Sequence, residues 1–584
     1  MKKNYSTSTK NILLGALIWL IAASAFAQSS KVSGTINDAK GGGIPGVSVV
    51  VKGTNSGTIT DIDGKFSIAA PGSGTLVVSF IGYRSQEIAI GNKATLNIVL
   101  SEDASILDEV IVTGYSRDSR RETTGAVSTV KARDLTMRPS GNVNQQLQGR
   151  VAGLTVISNG QPGAESQIRV RGFGAFGGNE PLNIVDGVPV GSTDFLNPDD
   201  IESVTVLKDA AAASIYGARA ANGVIVYTTK NAGKGAKKLT VTYDGMYGAT
   251  NPGPGQAMMN PTDFADWTWR AFSNSTPAVP FNHPQFGTGP TPVIPEFLSV
   301  GPRSGVTGSV DLAAERLRYN IDPTAGPIYQ VTRANRAGTD WYKAITRNAP
   351  LQRHSLGFTG GGENSRFYVG LSAMNQAGIL RSNKFSRYAF RVNSEFNIFK
   401  NLRFGENLQI TYRQNLGQTG GADGQGIAAD ENDILQAFRM PSIIPVYDEF
   451  GGYAGTASRG FNNPRSPVAN QDGLLNNRNY NASGFGNVYL EWDPIPGLTL
   501  RSSLGGQYNN GYSWNYGRLQ YENSENNSAF SYNEGSGWSL GWVLTNTASY
   551  KKTLGKHQIE VLAGQEALNT GVGRNRLHAK VVNG

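Results

Sequence analysis

The sequence of 584 residues contains no cysteine. Disulfides and thiolate metal sites are therefore excluded, and an exported fold built from it must hold without staples. Histidine is scarce too. His283, His354, His557 and His578 are the only ones, and none stands three or four residues from another, so a zinc-binding helix motif is absent. Charge is sparse: Asp, Glu, Lys and Arg make up 17% of the chain, against a usual share of about a quarter. Polar surface must then come largely from Asn, Ser, Thr, Gln and Gly. The net charge of +9 is spread along the chain with no basic block, which leaves nucleic-acid binding without support. Beyond the N-terminal region no stretch reaches the ~18 apolar residues of a membrane-spanning helix. What the chain has in quantity is glycine, with 73 residues, and tyrosine, with 23. That composition suits a turn-rich β protein.

The N-terminus has the three parts of a secretory signal. Lys2, Lys3 and Lys10 form a positive region, Ile12 to Ala23 is apolar, and Ala25-Phe26-Ala27 is a small-x-small cleavage site. The expected mature start is Gln28, giving a signal peptide over 1–27. The mature chain is then either exported and soluble, or crosses a membrane as β-strands.

From Lys31 to about Ser101, short apolar strands alternate with turn signals. Val47 to Val51 reads as a continuous apolar run, and Leu76, Val78 and Phe80 alternate with Val77 and Ser79. Gly41-Gly42-Gly43, Pro45-Gly46 and Pro71-Gly72 punctuate them. The pattern predicts a small antiparallel sandwich over 28–103. "DIDGKFSI", Asp61 to Ile68, superficially suggests a calcium loop, but Lys65 and Gly72 stand where an EF-hand needs oxygen ligands. A hairpin with Asp63-Gly64 as a type I′ turn is expected instead. This stretch, "VSGTINDAKGGGIPGVSVVVKGTNSGTITDIDGKFSI" with "LVVSFIGYRSQEI", resembles the carboxypeptidase-D regulatory-like domain, which implies export rather than a particular activity.

Arg120 to Lys230 reads as mixed α/β. Asn197 is placed to cap a helical turn, with Pro198 at its first position and Asp199 and Asp200 at its positive end. A strand is expected over Ile201 to Leu207. Asp209 should cap a second helix from Ala210 to Tyr216, ended by Gly217, and Asn222-Gly223 should turn the chain into a strand from Val224 to Thr228. No nucleophile and base gather here. "LQGRVAGLTVISNGQPG" (Leu147 to Gly163), "IRVRGFG" (Ile168 to Gly174), "LNIVDGVPV" (Leu182 to Val190) and "LNPDDIESVTVLKDAAAASIYGARAANGVIVYTTK" (Leu196 to Lys230) resemble the plug of TonB-linked outer-membrane proteins of the SusC/RagA class. The resemblance continues through Thr339 to Leu380.

The resemblance gives meaning to "LDEVIVTGYS", Leu107 to Ser116, a β-prone segment between the sandwich and the plug. It falls where this family carries its TonB box, with Asp108, Glu109, Val110, Ile111, Val112, Thr113 and Gly114 as the implied partner-binding residues. An extended peptide can add a strand to another protein's sheet edge. The same residues could otherwise form the sandwich's last strand or pack on the plug. Within the plug, Arg169 and Arg171 of "IRVRG" share a side of a strand. They either pair with acids on a barrel wall or are ordinary solvated charges next to Gly172. Asp186-Gly187 reads first as a turn.

After Lys238 the pattern becomes two-faced. Tyr388, Phe390, Val392, Phe396 and Ile398 share one parity, and Arg387, Arg391, Asn393, Glu395 and Asn397 share the other. Leu402, Phe404, Leu408, Ile410 and Tyr412 likewise oppose Arg403, Asn407, Gln409, Thr411 and Arg413. Further stripes run through Val488, Leu490 and Trp492, through Leu498, Leu500 and Leu504, and through Trp538 to Tyr550. Arms of about eleven residues suit tilted strands crossing a bilayer. Tyr412, Trp492 and Tyr550 are placed for an aromatic girdle. Nine strands are expected, near 239–249, 352–361, 365–376, 385–398, 402–413, 484–493, 498–508, 538–551 and 556–568. A plugged transporter of this type has about 22, so the chain is expected to be a C-terminally incomplete copy. The segments 250–350 and 414–482 should be long loops, with Trp267, Trp269, Tyr447 and Tyr453 free either to stack on sugars or to pack the loops. "GGADGQG", Gly420 to Gly426, lacks the Lys-Ser/Thr of a phosphate loop.

The expected fold is mainly β: an N-terminal β-sandwich, a linker over 104–118, an α/β plug over 119–232, and the first part of a large antiparallel transmembrane β-barrel over 233–584. The resemblance implies a TonB-dependent importer in the outer membrane of a Gram-negative-type bacterium. TonB with its inner-membrane energising complex, a SusD-like surface lipoprotein and outer-membrane lipid are the implied partners. An oligosaccharide, or alternatively a peptide, is the implied cargo. No catalytic, cofactor or metal site is expected. The rival classes are a non-transporting adhesin or glycan-binding β protein, and a secreted hydrolase with an accessory sandwich.

Overall fold

The computed structural model describes residues 29–583 apart from 39–40, 55, 81–82, 84, 92, 102–109, 114–115, 120–125, 137–139, 159, 175–177, 233–237, 277–279, 300–309, 418–431, 526–528 and 556. The signal peptide and Gly420–Gly426 lie outside the described residues, as do Asp108, Glu109 and Gly114 of the TonB-box segment. Two compact units result, the N-terminal sandwich and the plug with its wall.

The sandwich contains β1 (Ser29–Asn37), β2 (Ser48–Val51), β3 (Gly57–Ile59), β4 (Lys65–Pro71), β5 (Thr75–Ser79), β6 (Gln86–Ala89) and β7 (Thr95–Val99). They form sheets β4-β1-β7 and β3-β2-β5-β6. Val32, Ile36, Val49, Phe66, Leu76 and Val78 fill the core between them. Val47 to Val51 is an alternating strand rather than a continuous apolar run, since Ser48 and Val50 are half-buried between three buried valines. The hairpin at Asp61 also departs from expectation. Only Gly64 has a positive φ, +75°, and Asp63 does not, so the turn is not type I′. The Gly64 N–H donates to the Asp61 carbonyl at 3.0 Å, and the Asp61 carboxylate accepts from the N–H groups of Asp63 and Lys65. A side-chain acceptor at the turn's first position stabilises this shape without a second left-handed residue. After the sandwich, β8 (Val110–Thr113) and β9 (Ser116–Ser119) pair with each other, and β8 belongs to neither sandwich sheet.

The plug holds β10 (Val127–Lys131), β11 (Leu154–Ile157), β12 (Gln167–Val170), β13 (Leu182–Val185), β14 (Val188–Val190), β15 (Ile201–Leu207) and β16 (Val224–Thr229). Its main sheet has the order β10-β15-β16-β13-β14, with β13 and β16 parallel, and β11-β12 is a separate hairpin. β15 occupies the expected span. Asp209 caps as expected, accepting from Ala212 N–H at 2.7 Å, but the α-helix covers only Ala210–Ala213. A 3-10 segment, Ser214–Ala220, follows, kinked at Gly217. Asn197 sits at the start of the 3-10 turn Pro198–Asp200 yet makes no capping bond with its side chain, because that group is turned to the wall.

The wall is one antiparallel sheet of nine strands, in chain order: β17 (Thr240–Thr250), β20 (Ala349–Gly361), β21 (Ser365–Ala377), β22 (Lys384–Phe399), β23 (Leu402–Leu416), β24 (Arg478–Ile495), β25 (Leu498–Gly517), β26 (Ala529–Leu554) and β27 (His557–Asn583). A short pair, β18 (Phe297–Leu298) and β19 (Thr332–Arg333), lies in the first long loop. The chain is thus mainly β, with a sandwich, a plug and an open barrel-like sheet. Connections alternate in length: 362–364, 400–401 and 496–497 are short, while 251–348, 378–383, 417–477 and 518–528 are longer.

The strands outrun the apolar alternation that revealed them. β22 and β23 have 16 and 15 residues rather than about eleven, and β27 continues to Asn583. At the loop end the outward residues are no longer consistently apolar, but backbone pairing with the neighbouring strand continues. β26, at 26 residues, would reach roughly 85 Å at about 3.3 Å per residue, well beyond the ~30 Å hydrocarbon core of a bilayer.

The wall is inverted relative to a soluble sheet. Phe390, Ile410, Leu490, Trp492 and Leu540 are exposed on the outward face, while Arg387, Arg391, Asn393, Gln409 and Thr411 are buried on the inward face. Tyr388 and Tyr412 pair directly across β22 and β23, and the Tyr412, Tyr480 and Tyr512 rings follow one another at 6.3 and 6.4 Å, forming an aromatic row on the outward face. The two long loops share a core of Trp269, Phe286, Trp341, Ile443 and Ile444. Trp269 stacks on Phe281 at 5.8 Å and Tyr453 is partly buried, so these two pack the loops. Trp267 and Tyr447 remain exposed.

Candidate functional site

The plug meets the wall across a seam of buried charge. Its centre is Asp186. Asp186 and Gly187 have φ of +47° and +86°, and Val185 pairs with Val188. This is a two-residue hairpin in the left-handed region, which Asp tolerates and Gly adopts freely. The turn projects the Asp186 carboxylate toward two elements at once. It accepts from the Thr229 N–H at 3.0 Å and the Thr229 hydroxyl at 2.7 Å, and from Arg391 Nη2 of the wall at 2.6 Å. Arg391 has no exposed surface. Its remaining donors go to Thr229 Oγ1, Gln409 Oε1 and Asn393 Oδ1. Asn393 also donates to the Lys230 carbonyl at 2.7 Å, and Asn487 to the Asp186 carbonyl at 2.9 Å.

Three further plug acids face the same wall. Asp199 pairs with Arg353 at 3.0 Å and accepts from Ser355 Oγ. Asp200 accepts from Tyr368 Oη at 2.8 Å, and Asp194 pairs with Arg413 at 3.2 Å. Arg387 donates to the carbonyls of Gly141 and Leu196 at 2.7 and 2.9 Å, and to the Asn197 side chain. Apolar contacts complete the seam. Phe195 stacks on Phe485 at 5.1 Å, and Val188 lies so close to Gly505 that a Cβ there would come within 2.4 Å of it. While Val188 keeps its γ-methyls, only glycine at 505 lets the plug come this close to the sheet.

Burial sets the electrostatics. Desolvation raises the Asp200 carboxyl above its ordinary 3.8, and the charge of Arg391 and the bonds from Tyr368 and Asn197 only partly oppose it. Asp194 is raised for the same reason, with Arg413 opposing. A buried charge that loses its partner is left unpaired, at a cost of about 3–5 kcal/mol. The arrangement joins plug to wall through paired charge. It seats one part of the chain in another, with groups that water would screen on any displacement.

The sequence-derived candidates divide. Asp186 and Gly187 form the expected turn, and the carboxylate is also the centre of the seam. Arg169 and Arg171 make no ion pair with the wall among the described residues. Arg169 is half-buried, donates to Gln167 Oε1 at 3.1 Å and lies over the Phe173 ring at 3.9 Å. Arg171, with φ +59°, and Gly172, with φ +88°, end β12 and bend it away, so Arg171 leaves the strand face it was expected to share and is exposed. The polarity of the lock is thus reversed, with arginines on the wall and acids on the plug. A charged residue on the inward parity of a wall strand needs a partner inside, and that was the available signal. Val110 to Thr113 form an extended strand paired with Ser116–Ser119.

Comparison with known proteins accords with this geometry. The TonB-dependent Receptor Plug Domain matches residues 119–224 and the CarboxypepD_reg-like domain matches 32–112. TonB-dependent receptor P26 of Formosa agariphila is 30% identical over 91% of this chain and 48% of its own length. TonB-dependent receptor SusC of Bacteroides thetaiotaomicron is 30% identical over 95% of this chain and 52% of its own. The RagAB peptide importer in its open-open state superposes with a TM-score of 0.62 at 25% identity, over 81% of this chain and 50% of that one. The chain spans about half the length of the curated relatives it matches.

Two outcomes are expected in the full-length protein. Arg391→Met should strand Asp186 and destabilise the seated plug by about 3–5 kcal/mol, whereas Arg391→Met with Asp186→Asn, which keeps a residue suited to the left-handed turn and removes the unpaired charge, should recover part of that loss, as read by thermal unfolding in detergent. The second concerns pH. Because the Asp200 pKa is raised, its contribution to stability is full below the ordinary 3.8 and is lost as pH rises through the shifted value. Asp200→Asn, neutral at every pH, should therefore gain thermal stability relative to the parent as pH increases. A difference that is constant with pH would remove Asp200 from the account. The chain thus carries a regulatory-like domain, a TonB-dependent receptor plug and a wall sheet, and is similar over its matched length to SusC- and RagA-type TonB-dependent receptors and importers.

Proposed function

We propose that the full-length protein imports an oligomeric nutrient across the outer membrane, driven by TonB. The observation that carries this reading is the inverted wall with a plug seated in it by buried ion pairs. An outward apolar face is stable against lipid, and an inward charged face needs a resident plug. Ligand binds above the plug and beneath the loops. Its occupancy makes the segment from Asp108 to Gly114 available in the periplasm. TonB pairs with Val110 to Thr113 by strand addition, which takes affinity from backbone hydrogen bonds and needs only an extended, β-branched peptide. Force from the inner-membrane complex then shifts the plug and exposes its ion pairs to water, where they are worth little. A SusD-like lipoprotein acts as the lid, by analogy with SusC-type relatives. The cargo is an oligosaccharide or a peptide.

A surface adhesin would account for the sandwich and the loops, but a removable plug has no role in one. The test is deletion of Asp108 to Thr113 from the full-length protein. Energised uptake should vanish while cells still bind ligand at the surface, and uptake that survives the deletion would reject the strand-addition role.

A further inference from the structure

One strand of the wall turns basic on its outward side. β27 begins at His557, just after β26 ends at Leu554, so it starts at the short-turn end of the sheet and runs toward the long loops. In transmembrane barrels the turns face the periplasm and the long loops face outside. Glu566 of β27 points inward, where it pairs with Arg219 of the plug. The other parity of β27 lies opposite the outward residues of β26: Val561 with Tyr550, Ala563 with Ala548 and, beyond a register shift at Leu540 and Trp542, Val572 with Leu540. From Val561 to Val572 this outward parity carries no charge. It then becomes Arg574, Arg576, His578 and Lys580.

The change falls at a defined height. Tyr550 and Trp538 bound the apolar stretch of β26. The twelve residues between these positions are roughly 40 Å of strand. Tilted by about 40°, that length spans the ~30 Å hydrocarbon core of a bilayer. Trp538 therefore marks the outer interface, and it pairs directly with Arg574. Arg576, His578 and Lys580 follow at steps of about 7 Å along the strand, in the layer of lipid headgroups. All four are exposed, and none makes an ion pair or side-chain hydrogen bond among the described residues. Glu534, opposite His578, is engaged by the hydroxyls of Tyr512 and Tyr532. On β25 the same layer holds Asn510, Tyr512, Trp514 and Tyr516, without charge.

We propose that Arg574, Arg576, His578 and Lys580 form a ladder that binds the phosphates of an outer-leaflet lipid, a reading that rests on the wall being embedded in the outer membrane. Like charges at this spacing repel one another until anions lie between them. Guanidinium groups bond two phosphate oxygens at once, and the lysine adds a point charge. The acyl chains lie on the apolar face below Trp538, so one molecule meets both surfaces. From Arg574 to Lys580 the ladder is roughly 20 Å long, which suits a headgroup with more than one phosphate. A zwitterionic headgroup carries its own cation and gains little there.

The test is binding of fluorescent diphosphoryl lipid A to the purified full-length protein in nonionic detergent. It should bind at least tenfold tighter than its dephosphorylated form or phosphatidylethanolamine, and more weakly as salt rises. Arg574→Gln with Arg576→Gln and Lys580→Gln should weaken it at least tenfold, with heat-modifiable gel mobility retained as the control for folding. Lys551→Gln with Lys552→Gln, at the turn end, should change it less than twofold. Equal binding of the dephosphorylated lipid, normal binding by the triple variant, or full displacement by millimolar inorganic phosphate would each overturn the ladder. Unchanged lipid binding with loss of a co-purifying acidic protein would make it a protein contact and overturn it too. A parent protein that fails to insert into phosphatidylcholine nanodiscs would instead remove the embedded wall itself, and with it the ladder. One that inserts but ignores phosphate removes the ladder alone.

Discussion

A guanidinium with no exposed surface must find all its partners inside the protein. Arg391 finds two of them, Asp186 and Thr229, on a different domain from its own strand. The plug is therefore not a loose occupant of the wall, because removing it would leave Arg391 without its charge partner. The same constraint applies to the ion pairs Arg353–Asp199 and Arg413–Asp194. Such pairs are weak evidence for stability in themselves, since desolvation offsets much of the attraction. Their consequence is geometric. The plug has one seat, and leaving it requires either water or a compensating force.

Placing arginines inside is possible because the outside is apolar. Phe390, Ile410, Leu490 and Leu540 are turned outward, where a soluble sheet would carry its charges. The loops follow the soluble rule, with Trp269 and Trp341 in a core of their own. One chain thus applies opposite patterns on either side of the strand ends, according to the solvent each part meets.

Much of this was legible in sequence, for reasons specific to each part. Strand alternation identified all nine wall strands, because an apolar outward stripe is needed at every second residue. It underestimated their length, because β25 and β26 continue where that stripe stops. The turn at Asp186-Gly187 was legible from turn chemistry, but its charge partner was not, since Arg391 is 205 residues away and only the closed tertiary contact joins them. Arg169 and Arg171 drew attention as the motif's only cations. A positive φ at Arg171 carries it off the strand, which parity alone does not reveal. The acids at Pro198–Asp200 were read as helix-end charges when their partners are Arg353, Ser355 and Tyr368 of the wall.

Under the proposed import, the plug must move relative to the wall for cargo to pass. These 584 residues contain no cysteine, so a single engineered pair can test it. A Cβ on residue 505 would lie 2.4 Å from a Val188 γ-carbon, so cysteine at both positions puts a bondable sulfur where that methyl stands. With Val188→Cys and Gly505→Cys in the full-length protein, oxidation should stop energised uptake while ligand binding persists, and a reductant should restore uptake. Uptake at the parent rate with the crosslink complete would contradict the account.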